Sequence, residues 1–197
     1  MTYLPPYAIH LVDTPGFDDT HKTDAEILKG IADFLATVYE QRGKLSGILY
    51  LHSMTDDRMK GSAVKNLAMF KKLIGEHCLK NVALVTTKWS KVDKAVGERR
   101  EQELYDKFWK PMVACQATMR RFDGTSQGAL DILRDLSVLD GIIPRLTDEL
   151  CLKGMELKRT AAGKVVSVDM DEVGQYLCRL IFTDVLTMRS ATQRQGH

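Results

Sequence analysis

Val82-Ala83-Leu84-Val85-Thr86-Thr87 carries no charge, is rich in β-branched residues and shows no apolar/polar alternation. A run this short is below helix length, and one without alternation fits a strand covered on both faces. Two similar runs precede it, Ala8–Thr14 (AIHLVDT) and Gly47–His52 (GILYLH). Helical patterns separate the three. Thr23-Asp24-Ala25-Glu26 is a capping box, and Ile27, Ile31, Phe34, Leu35 and Val38 behind it share one helix face. After Gly61-Ser62, Ala63, Leu67, Phe70 and Ile74 recur at helical spacing. Short apolar strands alternating with helices predict crossover connections and a parallel sheet, so the fold class is α/β.

Beyond Thr87 the pattern turns helical. One long helix is expected over about Glu98–Met119, with Leu104, Phe108, Met112, Cys115 and Met119 on one face and a kink at Pro111. Arg120 and Arg121 read as part of a solvated, mixed-charge helix surface. Thr125-Ser126 caps a further helix carrying Leu130, Leu133 and Leu136. From about Ile142 the chain reads as helical with a break at Ala161-Ala162-Gly163, and its last residues, Ser190–His197, are polar.

Composition removes several functions. The 197 residues hold 28 Lys and Arg against 26 Asp and Glu, a net charge of +2 without the clustered basic face that nucleic acid requires. Cys78, Cys115, Cys151 and Cys178 form no CxxC pair, so zinc and dithiol chemistry have no support and reduced, packed thiols are expected. No run of 18 apolar residues occurs and the first residues lack the pattern of a signal peptide. A cytoplasmic protein without a membrane span is the expectation.

The chemistry concentrates in Ile9-His10-Leu11-Val12-Asp13-Thr14-Pro15-Gly16. An Asp at the carboxyl end of a buried parallel strand faces the crevice where such sheets bind ligands. There it can hold Mg²⁺ through a water, and a Gly three positions on can bring its N–H to a phosphate oxygen. Asp, Pro and Gly also favour turns for purely local reasons. The preceding apolar run, the acidic Phe17-Asp18-Asp19-Thr20 and the capped helix behind it favour the phosphate-site reading.

LVDTPGFDDT, GILYLHSMTDDRMKGSAVKNLAMFKKLIG and NVALVTTKW, continued by RFDGTSQGALDIL and TAAG, together resemble a group of fungal G-domain proteins. That group is similar to the septin-like branch of the P-loop GTPases, and the likeness spans about Ala8 to Lys164. It implies a three-layer parallel sheet of the P-loop NTPase type, GTP or GDP with Mg²⁺ as cofactors, and dimers of G domains as partners. It assigns Asp13, Thr14 and Gly16 to the Mg²⁺ and γ-phosphate side, and Thr87 and Lys88 to the floor of the base pocket. No GxxxxGK[ST] occurs in the sequence. The phosphate-binding loop and two strands of the family therefore have no counterpart, which implies a partial G domain over 1–140 and a helical C-terminal extension over 141–197. It also implies unpaired sheet edges on either side of the missing strand, or their closure on each other.

In the family an Asn/Thr-Lys-x-Asp segment after a core strand reads guanine. Thr87-Lys88-Trp89-Ser90 occupies that position with a Ser where the Asp belongs, and a hydroxyl cannot accept two base N–H groups as a carboxylate does. A second frame, Ser90-Lys91-Val92-Asp93, offers Asp93 as a substitute. Phe17 stands where many GTPases orient the attacking water, so hydrolysis is expected to be slow or to depend on Asp18, Asp19 or a partner. His52 and Arg58 are expected on the loop after the second strand. No catalytic residue is assigned. The alternative function is a non-catalytic interaction module that assembles through the sheet edge and the segments Asp140–Leu157 and Asp171–Leu186, with the apolar stripe Val173, Leu177, Leu180 and Ile181.

Overall fold

Val82–Thr87 is the central strand of a three-stranded parallel sheet; the computed structural model describes residues 9–16, 22–56, 59 and 61–166. Numbering in chain order, β1 is Ile48–Ser53, β2 is Val82–Thr87 and β3 is Thr118–Arg121, and the spatial order is β1-β2-β3. Ile48 pairs with Val82 through to Ser53 with Thr87, and Ala83 pairs with Thr118 through to Thr86 with Arg121. Burial along β2 is continuous from Val82 to Thr86, as expected of a strand sandwiched between helices. The chain is α/β.

Helix α1 covers Asp24–Glu40 and begins at the capping box. The Glu26 N–H donates to Thr23 Oγ1 (3.2 Å), and the Thr23 N–H donates to Glu26 Oε2 (2.8 Å). Ile27, Leu28, Ala32 and Leu35 bury its apolar face. Helix α2, Gly61–Ile74, buries Leu67, Met69, Leu73 and Ile74. Lys65 of α2 pairs with Asp24 at 2.8 Å and holds the start of α1 against it. These helices pack on the sheet face that carries Ile48, Tyr50, Val82 and Leu84. The opposite face carries Ala83 and Val85 and is covered by Ile132 and Leu136 of helix α5, Ser126–Ser137. Each fully buried Leu or Val contributes about 1.5–3 kcal/mol relative to exposure, so these two clusters dominate stability.

Five expectations are corrected. Ile9–Thr14 is not a strand: it is irregular and exposed throughout, with Ile9, Leu11 and Val12 at 42%, 68% and 55%. A strand needs a ladder partner for its backbone groups. The described sheet ends at β1, so this run has none there. Ala8 lies outside the described residues.

The long helix is shorter and interrupted. Helix α3 is Lys94–Leu104, a π turn follows at Tyr105–Trp109, and α4 is Lys110–Ala114. The wider turn lies just before Pro111, whose missing N–H and ring disfavour an unbroken α-helix. Met119, Arg120 and Arg121 then lie in β3 rather than on a helix face. Arg120 pairs with Asp135 of α5, and Arg121 pairs with Glu101 of α3.

His52 belongs to β1 itself rather than to the loop after it. Finally, α5 (Ser126–Ser137) is followed by a single helical turn α6 (Arg145–Thr147) that runs into a π turn at Asp148–Leu152, in place of a continuous helix from Ile142. Leu146, Leu150, Leu157, Ala162 and Val166 join the same core cluster as α1 and α2. The stripe at Val173–Ile181 and the segment Asp171–Leu186 lie outside the described residues.

Candidate functional site

Parallel strands put their carboxyl ends at one rim of the sheet, and that rim is where open α/β sheets take ligands. Thr87 ends β2 there. Its Oγ1 donates to the His52 carbonyl (3.3 Å), and its own carbonyl accepts the Met54 N–H (2.9 Å), which ties the exits of β1 and β2 together. The Phe122 N–H donates to the Thr86 carbonyl (2.8 Å) and does the same for β2 and β3. Arg100 of α3 donates to the Met54 carbonyl at 2.7 Å.

Lys88 follows with φ 59° and ψ 33°, a left-handed conformation that costs a non-glycine residue energy and turns the chain sharply out of the sheet. The turn Trp89–Lys91 comes next, held by a closed ring of side chains. Trp89 Nε1 donates to Thr86 Oγ1 (3.0 Å), and Thr86 Oγ1 donates to Glu101 Oε1 (3.3 Å). Arg121 grips both Glu101 oxygens, with Nε at 3.1 and 3.0 Å, and its guanidinium carbon lies 4.2 Å from the Trp89 ring centroid. The six-membered ring of the indole lies against α3 at Gly97, where a Cβ would come within 2.9 Å of it. A β2 residue, the exit turn, α3 and β3 are thus locked into one unit. Local sequence signals could not have found it, because Glu101 and Arg121 converge only through the β3 pairing.

The expected site residues fall into two groups. Thr87, Lys88 and Asp93 sit on the exit of β2, with Thr87 half-buried and Lys88 and Asp93 exposed. Asp93 is the N-cap of α3: its Oδ1 accepts the Ala95 N–H (3.0 Å) and the Val96 N–H (3.3 Å). Ser90 is exposed in the turn. Asp13, Thr14 and Gly16 lie on the exposed irregular segment, and a Cβ at Gly16 would meet nothing within 4 Å. No hydrogen bond or ion pair joins the two groups among the described residues. Phe17, Asp18, Asp19 and Arg58 lie outside the described residues.

Two neighbours complete the rim. His52 is half-buried, edge-on to Trp109 with ring centroids 6.3 Å apart. Burial lowers its pKa, with Asp56 pulling weakly the other way, so the imidazole is neutral at pH 7. Asp123, in the loop after β3, accepts the Thr125 N–H (2.9 Å) and hydroxyl (2.8 Å) on its Oδ1. Those two bonds hold its carboxyl below the ordinary range. Thr125 in turn caps α5 through the Gly128 N–H.

No group of three or more His, Cys, Asp or Glu able to hold a metal occurs among the described residues. The rim can present a positive charge at Lys88 and hydroxyls at Thr87 and Ser90. No helix of the described residues is long and apolar enough to cross a membrane. No protein-family model matches this chain, and no curated protein or solved structure matches it.

Proposed function

We propose that this chain carries the base-side part of a G domain of the P-loop NTPase class, binding guanine nucleotide weakly and hydrolysing it slowly or not at all. The observation that carries the proposal is Thr87-Lys88 at the exit of the central parallel strand, with Lys88 held left-handed above the rim where such sheets take ligands. In this reading Lys88 lays its stem and charge beside the nucleotide, and Thr87 forms the floor. Asp13 and Gly16 supply the phosphate side. Magnesium chemistry fits Asp13 only as an outer donor, because a hard cation takes most of its oxygens from water and from the phosphates it neutralises. Affinity is low because the sequence has no phosphate-cradling loop with its Lys.

Titration of a fluorescent GTP with Mg²⁺ tests this. The expected dissociation constant is about 1 mM, so about 5 mM GTP stabilises the chain by RT ln 6, roughly 1 kcal/mol, or about 2–4 °C. Lys88→Ala should remove that shift. A micromolar constant, or no shift at millimolar GTP, sinks the proposal.

A second reading, a non-catalytic interaction module, is favoured by the bare flank of the sheet. Leu49 and Leu51 of β1 are 36% and 63% exposed on the face where, among the described residues, Ile132 and Leu136 of α5 pack on Ala83 and Val85 of β2. Sedimentation with and without GTP separates the two: nucleotide-dependent dimers favour the GTPase, and nucleotide-independent ones favour the module.

A further inference from the structure

We infer that Trp89, Glu101 and Arg121 are positioning residues of the β2 rim, which hold Lys88 in the backbone conformation that presents it to a ligand; the inference rests on the nucleotide-binding reading above. Among the described residues, the non-glycine residues with positive φ are Arg42, Lys88 and Gln116. Arg42 and Gln116 each stand one residue past the C-cap of a helix, α1 or α4, where a left-handed residue is an ordinary way to end the helix. Lys88 instead leaves a strand and enters a turn. Its left-handed conformation brings the Cβ close to the following carbonyl oxygen. Such strain persists only where the surroundings over-determine it.

The surroundings here form a clamp. Trp89 folds back on the strand it has just left: its Nε1–H donates to Thr86 Oγ1 at 3.0 Å, which brackets Thr87 and Lys88 between the two side chains. Thr86 is fully buried in the central strand and is the fixed end of the bracket. At the other end Arg121 stacks on the Trp89 ring at 4.2 Å, and Gly97 lets α3 approach the same ring closely. Both oxygens of Glu101 hold Arg121 in turn. Glu101 comes from α3 and Arg121 from β3, so two elements outside the turn fix its shape. Lys88 itself is exposed, and the direction in which its side chain departs is set by this backbone rather than by packing. Release of the clamp returns Lys88 to the right-handed and extended wells. Affinity then falls by the fraction of time that the left-handed well stays occupied.

The test is equilibrium binding of GTP with Mg²⁺ to the full chain, read by NMR line broadening of the base H8 proton at a temperature where circular dichroism shows each variant folded. Glu101→Gln is the deciding variant. Removing a negative charge near an anionic ligand tightens binding by Coulomb attraction, whereas loosening the clamp weakens it. Binding at least about threefold weaker than the parent is expected. Trp89→Ala should weaken binding by about tenfold, the factor that matches the cost of a left-handed residue. Trp89→Phe keeps a ring under Arg121 and should recover part of that loss. Ile142→Val trims the core at the far rim of the sheet and should bind as the parent does. Unchanged or tighter binding in Glu101→Gln overturns the inference and leaves nucleotide binding standing, whether or not Trp89→Ala folds. An equal loss in Ile142→Val overturns it too, by showing that affinity follows overall stability. Absence of broadening in the parent overturns the nucleotide-binding reading and this inference with it.

Discussion

Removing the Arg121 side chain should loosen the whole β2 exit. Arg121→Ala deletes a bidentate ion pair to Glu101 and the guanidinium stacked on Trp89. The Glu101 side chain is only 15% exposed, whereas Arg121 is 51% exposed. Solvent therefore screens one end of the pair, which places it at the upper end of the exposed range, about 1 kcal/mol. The stacking adds about 0.5–1 kcal/mol. The sum, about 1.5–2 kcal/mol, corresponds to a fall of roughly 3–8 °C in Tm for a chain of this size. Urea unfolding at low ionic strength measures it, and the loss should shrink in high salt because the cation end is exposed. Glu101→Gln removes the same pair from the other side. The double variant should therefore be about 1 kcal/mol less destabilised than the sum of the singles. Strict additivity, or an Arg121→Ala chain as stable as the parent, would refute the picture of a single locked unit.

Other outcomes follow from single groups. Thr23→Ala removes the hydroxyl that accepts the Glu26 N–H and should lower Tm by about 2–4 °C, read by thermal melting. His52 has a folded pKa lowered by burial, so the unfolded chain takes up its proton first as pH falls. Stability contributed by the neutral imidazole is complete above the ordinary value of 6.5 and declines from there down to the lowered folded value. His52→Gln should flatten that part of a stability–pH profile measured by urea unfolding between about pH 7.5 and 5. Burial pushes the Cys78 thiol up to about 11, while Cys115 is exposed. A thiol reagent at pH 8, mapped by peptide mass, should label Cys115 at least about tenfold faster than Cys78 in the native chain, with the difference lost in urea.

The parts legible in the sequence were those in which a local pattern and its tertiary environment agree. Val82–Thr87 has the same bounds as observed, because an uncharged β-branched run buried on both faces has no competing use. The α1 start was readable for a similar reason: Thr23 and Glu26 satisfy each other without help from the rest of the fold. Ile9–Val12 has the same composition as a core strand but, among the described residues, no neighbour to complete its ladder, and composition alone cannot supply one. β3 was hidden by its length and its two arginines. Thr118-Met119-Arg120-Arg121 is a strand through its ladder with β2, and Asp135 and Glu101, distant in sequence, receive its two charges. Of the candidate site, the position of Thr87 and Lys88 at a strand exit was readable from the apolar run before them, while their role there is what the resemblance implies. Asp93's role in capping α3 depends on where that helix begins, which the sequence pattern put four residues later.

The opposite rim of the sheet has its own consequence. Asn81, wholly buried just before β2, donates through Nδ2 to the Ser46 carbonyl (2.7 Å) and the Asp140 carbonyl (3.0 Å). Beside it Leu45 and Ile142 exchange two backbone hydrogen bonds. Strand entry, strand entry and the exit from α5 are thus knotted at one point by contacts that span most of the described chain. Contacts of such sequence separation form late and carry a large loop-closure cost, so they set the rate at which the chain lets go more than the rate at which it collapses. At the β2 exit the clamp closes through Arg121, 51% exposed, and the turn there leaves Ser90 and Lys91 facing solvent. Amide exchange should therefore run along a gradient, slowest at Asn81 and fastest at Trp89–Lys91, giving the sheet a fixed hinge end and a breathing end.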